Sequence, residues 1–444
     1  MGARMQLSLG KESVVVRGMR PEEYLWGPYQ FPRPYRVGDR IIVSVHVEED
    51  DIYNAGKTAR WFESVDGGVC WEEISPSVAA ECGLKLPNGD KIYFPVESGL
   101  VLAGYTVTPV GMQTPDYDFS ERAAEKSLPV QDGMTFFHDG SIIKAYDADR
   151  LPKSISKKEW HILRTISGNG NVVRENVKVE WPYLTRVVIF HPGESVGTLK
   201  SIQPRGTPKL GPDGAVWVSA FSGEGHLNPY NGQYSPYYSA EIFRSDDGGK
   251  TFRLRGHMEY EADGKKYPYQ SGGFSDSDFE FMPDGSIVWF LRSTWAAYTG
   301  KEWGPMYYSR STDSGYTWTK PKVFSEVGIL PRLCTLKCGV TLLCYARPGL
   351  YVTACNDGCG LKWSKPLVVM KAENRSGLAN RPTEHPVWHE WDGACGNPEI
   401  IPLDDNSALL FYGDFYYPDA EGVRRKTIPV SYTHLRAHET RRHL

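Results

Sequence analysis

Short apolar stretches alternate with glycine-containing turns along most of this 444-residue chain. The stretches are rich in β-branched and aromatic residues, and many are bounded by pairs such as Asp-Gly or Asn-Gly, a pattern typical of β-hairpins. No segment places apolar residues at helical spacing over more than about two turns. The pattern therefore predicts an all-β protein.

The hairpin signal recurs through the chain at broadly similar intervals. Its turn pairs are Gly38-Asp39, Asn88-Gly89, Asp139-Gly140, Asp213-Gly214, Asp284-Gly285, Cys338-Gly339 and Asp405-Asn406. Such repetition of short antiparallel strands is typical of a β-propeller. Seven signals fit seven blades, and six remain if one hairpin is an insertion, for which Asn88-Gly89 is the candidate. We favour a six-bladed propeller and keep seven blades as the alternative.

A second repeat has the form Ser-x-Asp-x-Gly-x-Thr-aromatic. Copies begin at Ser64, Ser245 and Ser311, and a looser copy with one extra residue begins at Cys355. The Ser and Asp side chains can accept backbone N–H groups inside a tight turn, and the aromatic residue can pack inward as the next strand begins. Each copy follows a hairpin signal, so the two repeats together predict four-stranded units.

Composition narrows the possible partners and the compartment. A net charge of −4 and the lack of a basic block argue against nucleic acid and anionic membranes as partners. No apolar run approaches the roughly 18 residues of a membrane helix. The first twenty residues also lack the apolar region of a signal peptide. These features predict a cytoplasmic protein, and a trimmed gene start would leave a secreted or periplasmic location open.

The sequence predicts neither a metal site nor a cofactor. The eight cysteines do not have the two-residue spacing of a zinc knuckle, and no histidine follows them at ligand distance. The run Ser275-Asp276-Ser277-Asp278 lacks the glycine and distal glutamate of an EF-hand loop. We interpret the cysteines as reduced thiols buried in strands.

The end of the chain departs from the repeat. The segment Ser431–Leu444 contains three of the eleven histidines and no strand pattern, and it resembles translated sequencing-adaptor read-through. We therefore expect three parts: an N-terminal segment over residues 1–29, a propeller over 30–429 that lacks its closing strand, and a non-native tail over 430–444.

The repeated turn resembles the Asp-box, or BNR repeat, of the sialidase (neuraminidase) superfamily, and the resemblance spans roughly residues 30–427. It implies a β-propeller and an exo-α-sialidase-like glycosidase that removes a terminal, acidic sugar from a glycan or glycoconjugate. Because propellers that are not sialidases carry the same turns, the function has to be argued from the site.

Sialidases hold the substrate carboxylate with three arginines, because a planar guanidinium pairs a carboxylate through two hydrogen bonds. The resemblance places these arginines at Arg33, Arg292 and Arg347. The first lies in Gln30-Phe31-Pro32-Arg33-Pro34, where the order of the family's motif is altered. Asp276 falls where the family usually has glutamate.

The catalytic positions match less well. The resemblance places the general acid at Asp50 or Asp51, and it places Asn397 where the family has its tyrosine nucleophile. Because Asn397 cannot attack, we expect it only to contact substrate, and Asp276 or Glu399 becomes the candidate base or nucleophile. The side chain of Glu399 could point away from the site if the strand alternates regularly.

Two other functions stay open. The protein could be a non-catalytic propeller that binds glycans, which would explain the missing tyrosine. It could also be an exo-glycosidase acting on a neutral sugar, in which case the arginines would pair with internal acids.

Overall fold

A computed structural model of the chain describes residues 5–20, 28–47, 59–94, 100–101, 134–136, 141–147, 159–182, 186–192, 198–199, 203–222, 239–260, 273–293, 305–346, 349–371 and 395–437. The prediction of an all-β protein is confirmed for this part, whose described helix is a single 3-10 segment, Pro76–Glu81. No helix in the described ranges is long and apolar enough to cross a membrane.

Twenty-nine strands are described in these ranges. In chain order they are β1 (Met5–Arg17), β2 (Gln30–Val37), β3 (Arg40–His46), β4 (Ala59–Ser64), β5 (Glu72–Ile74), β6 (Leu84–Lys85), β7 (Lys91–Tyr93), β8 (Leu100–Val101), β9 (Met134–Phe136), β10 (Ser141–Asp147), β11 (Glu159–Thr165), β12 (Val172–Glu180), β13 (Arg186–Pro192), β14 (Thr198–Leu199), β15 (Gln203–Leu210), β16 (Val216–Ser222), β17 (Ser239–Ser245), β18 (Thr251–Met258), β19 (Phe274–Phe281), β20 (Ile287–Ser293), β21 (Met306–Ser311), β22 (Lys322–Ser325), β23 (Ile329–Thr335), β24 (Thr341–Ala346), β25 (Leu350–Cys355), β26 (Leu367–Met370), β27 (Cys395–Pro402), β28 (Ser407–Pro418) and β29 (Arg424–Ala437).

Antiparallel four-stranded runs dominate the sheet topology. Four sheets have the orders β2-β3-β4-β5, β19-β20-β21-β22, β23-β24-β25-β26 and β1-β29-β28-β27. An eight-stranded sheet consists of two further runs, β15-β16-β17-β18 and β6-β7-β11-β12, joined by the parallel pair β12 and β18. The remaining described strands form the three-stranded sheet β13-β10-β9 and the pair β14-β8.

The hairpin signals mark the connections between the first two strands of these runs. Asn88-Gly89 joins β6 to β7 inside a four-stranded run, whereas β9 and β10, on either side of Asp139-Gly140, lie in the separate three-stranded sheet. The expectation that Asn88-Gly89 is the inserted hairpin is therefore wrong. Asp139 and Gly140 themselves lie outside the described residues.

The repeated turns form as predicted, between the third and fourth strands of their runs. Ser311 Oγ donates to Asp313 Oδ1 over 2.8 Å and accepts from the amide of Gly315 over 2.9 Å, while the amide of Thr317 donates to Asp313 over 2.9 Å. The side chain and backbone of Thr317, with Ser311, lower the pKa of Asp313 to about 2. The same bonds recur in the turns that begin at Ser64 and Ser245.

Each turn packs on the preceding run. Trp318 donates to the carbonyl of Arg255 in β18, and the ring of Trp363 lies 5.2 Å from that of Phe290 in β20. The ring of Trp71, in the turn of the first run, lies 5.8 Å from that of Phe411 in β28. The first run therefore packs on the last, and apolar side chains from β3, β4, β28 and β29 fill the space between them.

The two ends of the chain share one sheet. β1 pairs with β29 along most of its length, from Met5 opposite Ala437 to Arg17 opposite Thr427. The N-terminal segment thus supplies an outer strand of the sheet that holds the final strands. Because β29 continues through Ala437, the expectation of no strand after Ser431 is wrong as far as that residue. The adaptor origin of the tail stays a prediction.

Candidate functional site

The first strands of three runs carry the same irregularity. Register shifts lie at Gln30/Arg33 in β2, Ile329/Arg332 in β23 and Gly396/Glu399 in β27. Each shift contains a non-glycine residue with positive φ, a proline and then a charged residue. These are the sequences Phe31-Pro32-Arg33, Leu330-Pro331-Arg332 and Asn397-Pro398-Glu399, with φ of 51°, 52° and 38° at their first residues.

Positive φ at a non-glycine residue is uncommon and strains the backbone. A bulge also breaks the two-residue alternation of a strand and re-aims the side chain that follows it. Strand β15 has a related shift between Arg205 and Lys209, with Gly206 at φ 77°. The bulges therefore direct charged side chains from separate strands toward one region.

That region is a cavity of about 890 Å³ between the first strands of the runs, which we call the central cavity. Its wall includes Arg33, Tyr93, Gly206, Arg332, Asn397 and Glu399. Lys337 and Asp405 also line this cavity.

Arg332 and Glu399 form a buried ion pair in this wall. Arg332 Nε lies 2.5 Å from Glu399 Oε1, and the two side chains are only 10% and 15% exposed. Burial raises the pKa of Glu399, against the opposing effect of Arg332. Burial would lower the pKa of Arg332, but Glu399 and then Asp278 outweigh it, so that pKa is raised and the guanidinium stays charged.

Arg33, unlike Arg332, belongs to no ion pair among the described residues. It lines the same cavity and its charge helps to hold down the pKa of Glu399. Yet it makes no hydrogen bond or ion pair with any residue that the structure describes. It is therefore a guanidinium available to an anion in the cavity.

Asp276 and Arg292 pair with each other. Arg292 Nη1 lies 2.6 Å from Asp276 Oδ2, and Asp276 is 8% exposed. Both lie at one end of the β19-β20 hairpin, where the register shift between Ser275 and Ser277 displaces Asp276. The negative charge of Asp276 also reaches Arg332.

Lys209 links three runs beside the cavity. Its Nζ lies 3.3 Å from Asp278 Oδ2 and 3.0 Å from Glu280 Oε2, and it donates to the carbonyl of Leu333 over 3.0 Å. Asp278 Oδ2 in turn accepts from the amide of Leu333 over 2.8 Å. One ammonium group thus joins β15, β19 and β23.

The amides of Gln30 and Asn397 meet between the first and last runs. Asn397 Nδ2 lies 3.4 Å from Gln30 Oε1, and Gln30 is fully buried. This contact fixes how the amide of Asn397 is presented to the cavity. It adds hydrogen-bonding capacity to the wall but no nucleophile.

Of the site residues expected from the sequence, the structure brings Arg33, Asn397 and Glu399 together. The pair of Asp276 and Arg292 lies beside Arg332. The idea that Glu399 points away is wrong, because the bulge at Asn397 reverses the alternation of β27. Asp50, Asp51 and Arg347 lie outside the described residues.

Sequence reasoning missed Arg332, Lys209 and Asp278. A signal for Arg332 was available, since Leu330-Pro331-Arg332 repeats the apolar-Pro-Arg order of Phe31-Pro32-Arg33. Lys209 follows Pro208 in the same way. Within the described residues, no group of three or more His, Cys, Asp or Glu side chains is placed to hold a metal ion.

Comparison with protein-family models finds no match, and comparison with curated proteins finds none either. Among solved structures, a protein of unknown function from Dyadobacter fermentans aligns with a TM-score of 0.54 at 15% identity, over 97% of this chain and 99% of that one. This likeness, over nearly the whole of both chains, is one of fold.

Two further solved structures have lower scores. A mutant of NanB sialidase from Streptococcus pneumoniae has a TM-score of 0.44 at 11% identity, over 95% of this chain and 70% of that one. An α-L-arabinanase from Penicillium chrysogenum complexed with arabinobiose has a TM-score of 0.45 at 11% identity, over 95% and 98%.

Proposed function

We propose that this chain is a six-bladed β-propeller glycoside hydrolase that removes a terminal, acidic sugar held in the central cavity. Within the described residues, six four-stranded runs and the contact of the first with the last support six blades rather than seven. The resemblance of the repeated turns to those of sialidases supports a glycan as the substrate.

The acidic sugar is supported by the guanidinium of Arg33, which makes no ion pair with any described residue. A partly buried cation without a partner is costly unless a ligand supplies the opposite charge. Arg332 and Arg292 are already neutralised by Glu399 and Asp276. Among the described residues at this end of the cavity, Arg33 therefore offers a guanidinium to a carboxylate group.

Glu399 is our candidate base or nucleophile, because it is the carboxylate in the described wall of the cavity next to Arg33. Burial raises its pKa, which favours proton transfer nearer to neutral pH. Asp276 is the second candidate. Proton donation to the leaving oxygen stays assigned to Asp50 or Asp51 as a prediction from the sequence.

The proposal is tested with a panel of fluorogenic glycosides that covers sialosides, uronides and neutral sugars. We expect turnover of a carboxylate sugar, and we expect Arg33→Ala to lower kcat/KM by roughly 10- to 100-fold through lost charge-assisted hydrogen bonds. Arg253→Ala is the control, since Arg253 pairs with Glu180 on outer strands. Equal effects of the two changes would refute the role of Arg33.

A neutral sugar is the second candidate substrate. It is favoured by the internal pairing of Arg292 and Arg332, which leaves little net positive charge. In that case neutral glycosides are hydrolysed and Arg33→Ala changes KM little. Retained glycan binding without turnover on any glycoside would instead identify a binding propeller.

A further inference from the structure

The two oxygens of the Glu399 carboxylate have different surroundings. Oε1 accepts a hydrogen bond of 2.5 Å from Arg332 Nε. Oε2 has no hydrogen-bond partner among the described residues, yet it is not one of the buried side-chain atoms that lack a partner. Because Glu399 lines the central cavity, Oε2 is the oxygen that a group bound there can reach.

The guanidinium of Arg332 is held at two points. Its Nε donates to Glu399, and its Nη1 donates over 2.9 Å to the carbonyl of Pro331. A planar guanidinium presents its N–H groups in a rigid fork, so turning it would break one of these bonds. The anchored guanidinium therefore fixes the orientation of the Glu399 carboxylate through Oε1.

The backbone is strained two residues before each partner of this ion pair. Leu330 has φ of 52° ahead of Arg332, and Asn397 has φ of 38° ahead of Glu399. Strain of this kind persists only where the surrounding structure imposes it, and a buried ion pair is by itself weak evidence for stability. Two strained bulges and two desolvated charges thus meet at one point of the cavity wall, which favours a role in the cavity over a role in stability alone.

The charges that face Glu399 come from three other strands. Burial raises the pKa of Glu399, and the charge of Asp278 on β19 adds to this effect. Arg332 on β23 and, more weakly, Arg33 on β2 favour the ionised carboxylate and oppose the rise. Removal of Arg332 would therefore raise the pKa of Glu399 further.

We infer that Arg332 is a positioning residue, which holds Glu399 through Oε1 so that Oε2 meets the bound sugar. The inference rests on the proposed function, in which Glu399 is the base or nucleophile, and it applies to an acidic or a neutral sugar. It separates Arg332, which acts through Glu399, from Arg33, which contacts the substrate itself.

The first test is the pH dependence of kcat/KM in Arg332→Gln, for the glycoside that the wild type hydrolyses fastest. Glu399 acts only when ionised, so activity falls as the pH drops below its pKa. Without Arg332 that pKa is higher, and we expect the acid limb of the profile to move upward by about 1–2 pH units. The position of the limb does not depend on the amount of folded protein, so a loss of stability cannot imitate the shift.

Arg310→Gln is the matched control for this profile. Arg310 Nη2 lies 2.6 Å from Asp284 Oδ2, and the arginine side chain is 16% exposed, so this is also a largely buried arginine in an ion pair. Neither residue is part of the described wall of the central cavity. We expect the acid limb of Arg310→Gln to coincide with that of the wild type, and equal shifts in the two variants would overturn the inference.

The second test measures kcat and KM separately in Arg332→Lys and Arg332→Gln. Lysine keeps the positive charge but lacks the planar fork that anchors Oε1. We expect the acid limb of Arg332→Lys to stay near that of the wild type, with kcat lowered roughly 10-fold in Arg332→Lys and 100-fold in Arg332→Gln, and with KM nearly constant in both. If Arg332→Gln does not fold, the kcat and KM of Arg332→Lys decide the question.

The outcomes separate this inference from the proposed function. Wild-type turnover with an unmoved acid limb in Arg332→Gln overturns the positioning role and leaves the proposed function intact. A rise in KM with constant kcat also overturns it, because Arg332 would then contact the substrate directly. A wild-type chain that hydrolyses no glycoside overturns both.

Discussion

In the turn at Ser311, hydrogen-bonding partners are close together in the sequence. In the wall of the central cavity, they are far apart in the sequence. In the turn, the amide of Thr317 bonds to a carboxylate four positions earlier. In the wall, Arg332 bonds to Glu399, 67 positions away, and Lys209 bonds to Leu333, 124 positions away. Both regions bring polar groups together, but only the turn does so within one short segment.

This difference in sequence separation determines how each region responds to substitution. A turn holds its own hydrogen bonds once its few residues adopt their local conformation. The wall exists only when several runs are assembled, because its partners come from separate strands. We therefore expect changes in the wall to affect the whole protein and changes in a turn to act more locally.

The largest loss of unfolding free energy is expected for Lys209→Met. This change leaves Asp278 and Glu280 buried without their cation, and breaking a buried pair in this way typically costs about 3–5 kcal/mol of unfolding free energy. The measurement is urea denaturation followed by intrinsic fluorescence. Lys178→Met is the control, because Lys178 pairs with Glu180 at the surface, where a loss of about 0–1 kcal/mol is expected. Similar losses for both would mean that the wall does not depend on distant partners.

His257 provides an intermediate case, with partners 16 and 2 positions away. Its ring nitrogens lie 3.2 Å from Glu241 and 3.2 Å from Glu259. Burial would lower the pKa of His257, but hydrogen bonds to these carboxylates outweigh burial and raise it to about 9.

The pKa of His257 is higher in the folded state than in the unfolded state, so its protonated ring stabilises the fold. This contribution is complete below the unfolded pKa of 6.5 and is lost as the pH rises to about 9. We expect the wild type to lose roughly 2–3 kcal/mol over this range. Denaturation at pH 6 and at pH 9.5 measures the loss. His257→Gln should show a much smaller difference between the two pH values, and an equally steep profile would contradict the assignment.

A smaller effect is expected for Ser245→Ala in a repeated turn. Ser245 is fully buried, accepts from the amide of Gly249 over 2.9 Å and donates to Asp247 over 2.7 Å. Its loss leaves a buried amide unsatisfied, at about 1–2 kcal/mol. Cys355→Ala is the matched change in the looser turn, where the thiol donates to Asp357 and the amide of Gly360 also bonds to Asp357, so that the amide keeps a partner when the thiol is removed. Thermal unfolding should show the greater loss for Ser245→Ala, and the reverse order would refute this account of the turns.

The smallest effect is expected when low pH protonates Asp313 in the turn that begins at Ser311. The pKa of Asp313 is lowered to about 2, so its contribution is present above the unfolded value of 3.8 and disappears as the pH falls toward 2. The indole N–H of Trp318 bonds within this turn, so its NMR signal, assigned with Trp318→Phe, should shift over that window. In Asp313→Asn the shift should vanish, and its persistence would show that another group titrates.

The same contrast explains which features could be predicted from sequence. The turns at Ser64, Ser245 and Ser311 were predictable because a few adjacent residues supply all their hydrogen bonds. The orientation of Glu399 was not, because one bulged residue reverses every later side chain of the strand. The pairing of Arg332 with Glu399 depends on the packing of β23 beside β27, which no local pattern encodes.

The contact between the first turn and the last sheet also constrains how the chain folds. Trp71 packs on Phe411, and the hydroxyl of Tyr432 donates to the carbonyl of Gly67. These contacts of the first turn cannot form until the last strands have been synthesised. Contacts at such sequence separation give a high contact order and slow folding. On the ribosome, Val43 and Phe62 therefore lack their packing partners Leu409 and Phe411 until β28 has emerged.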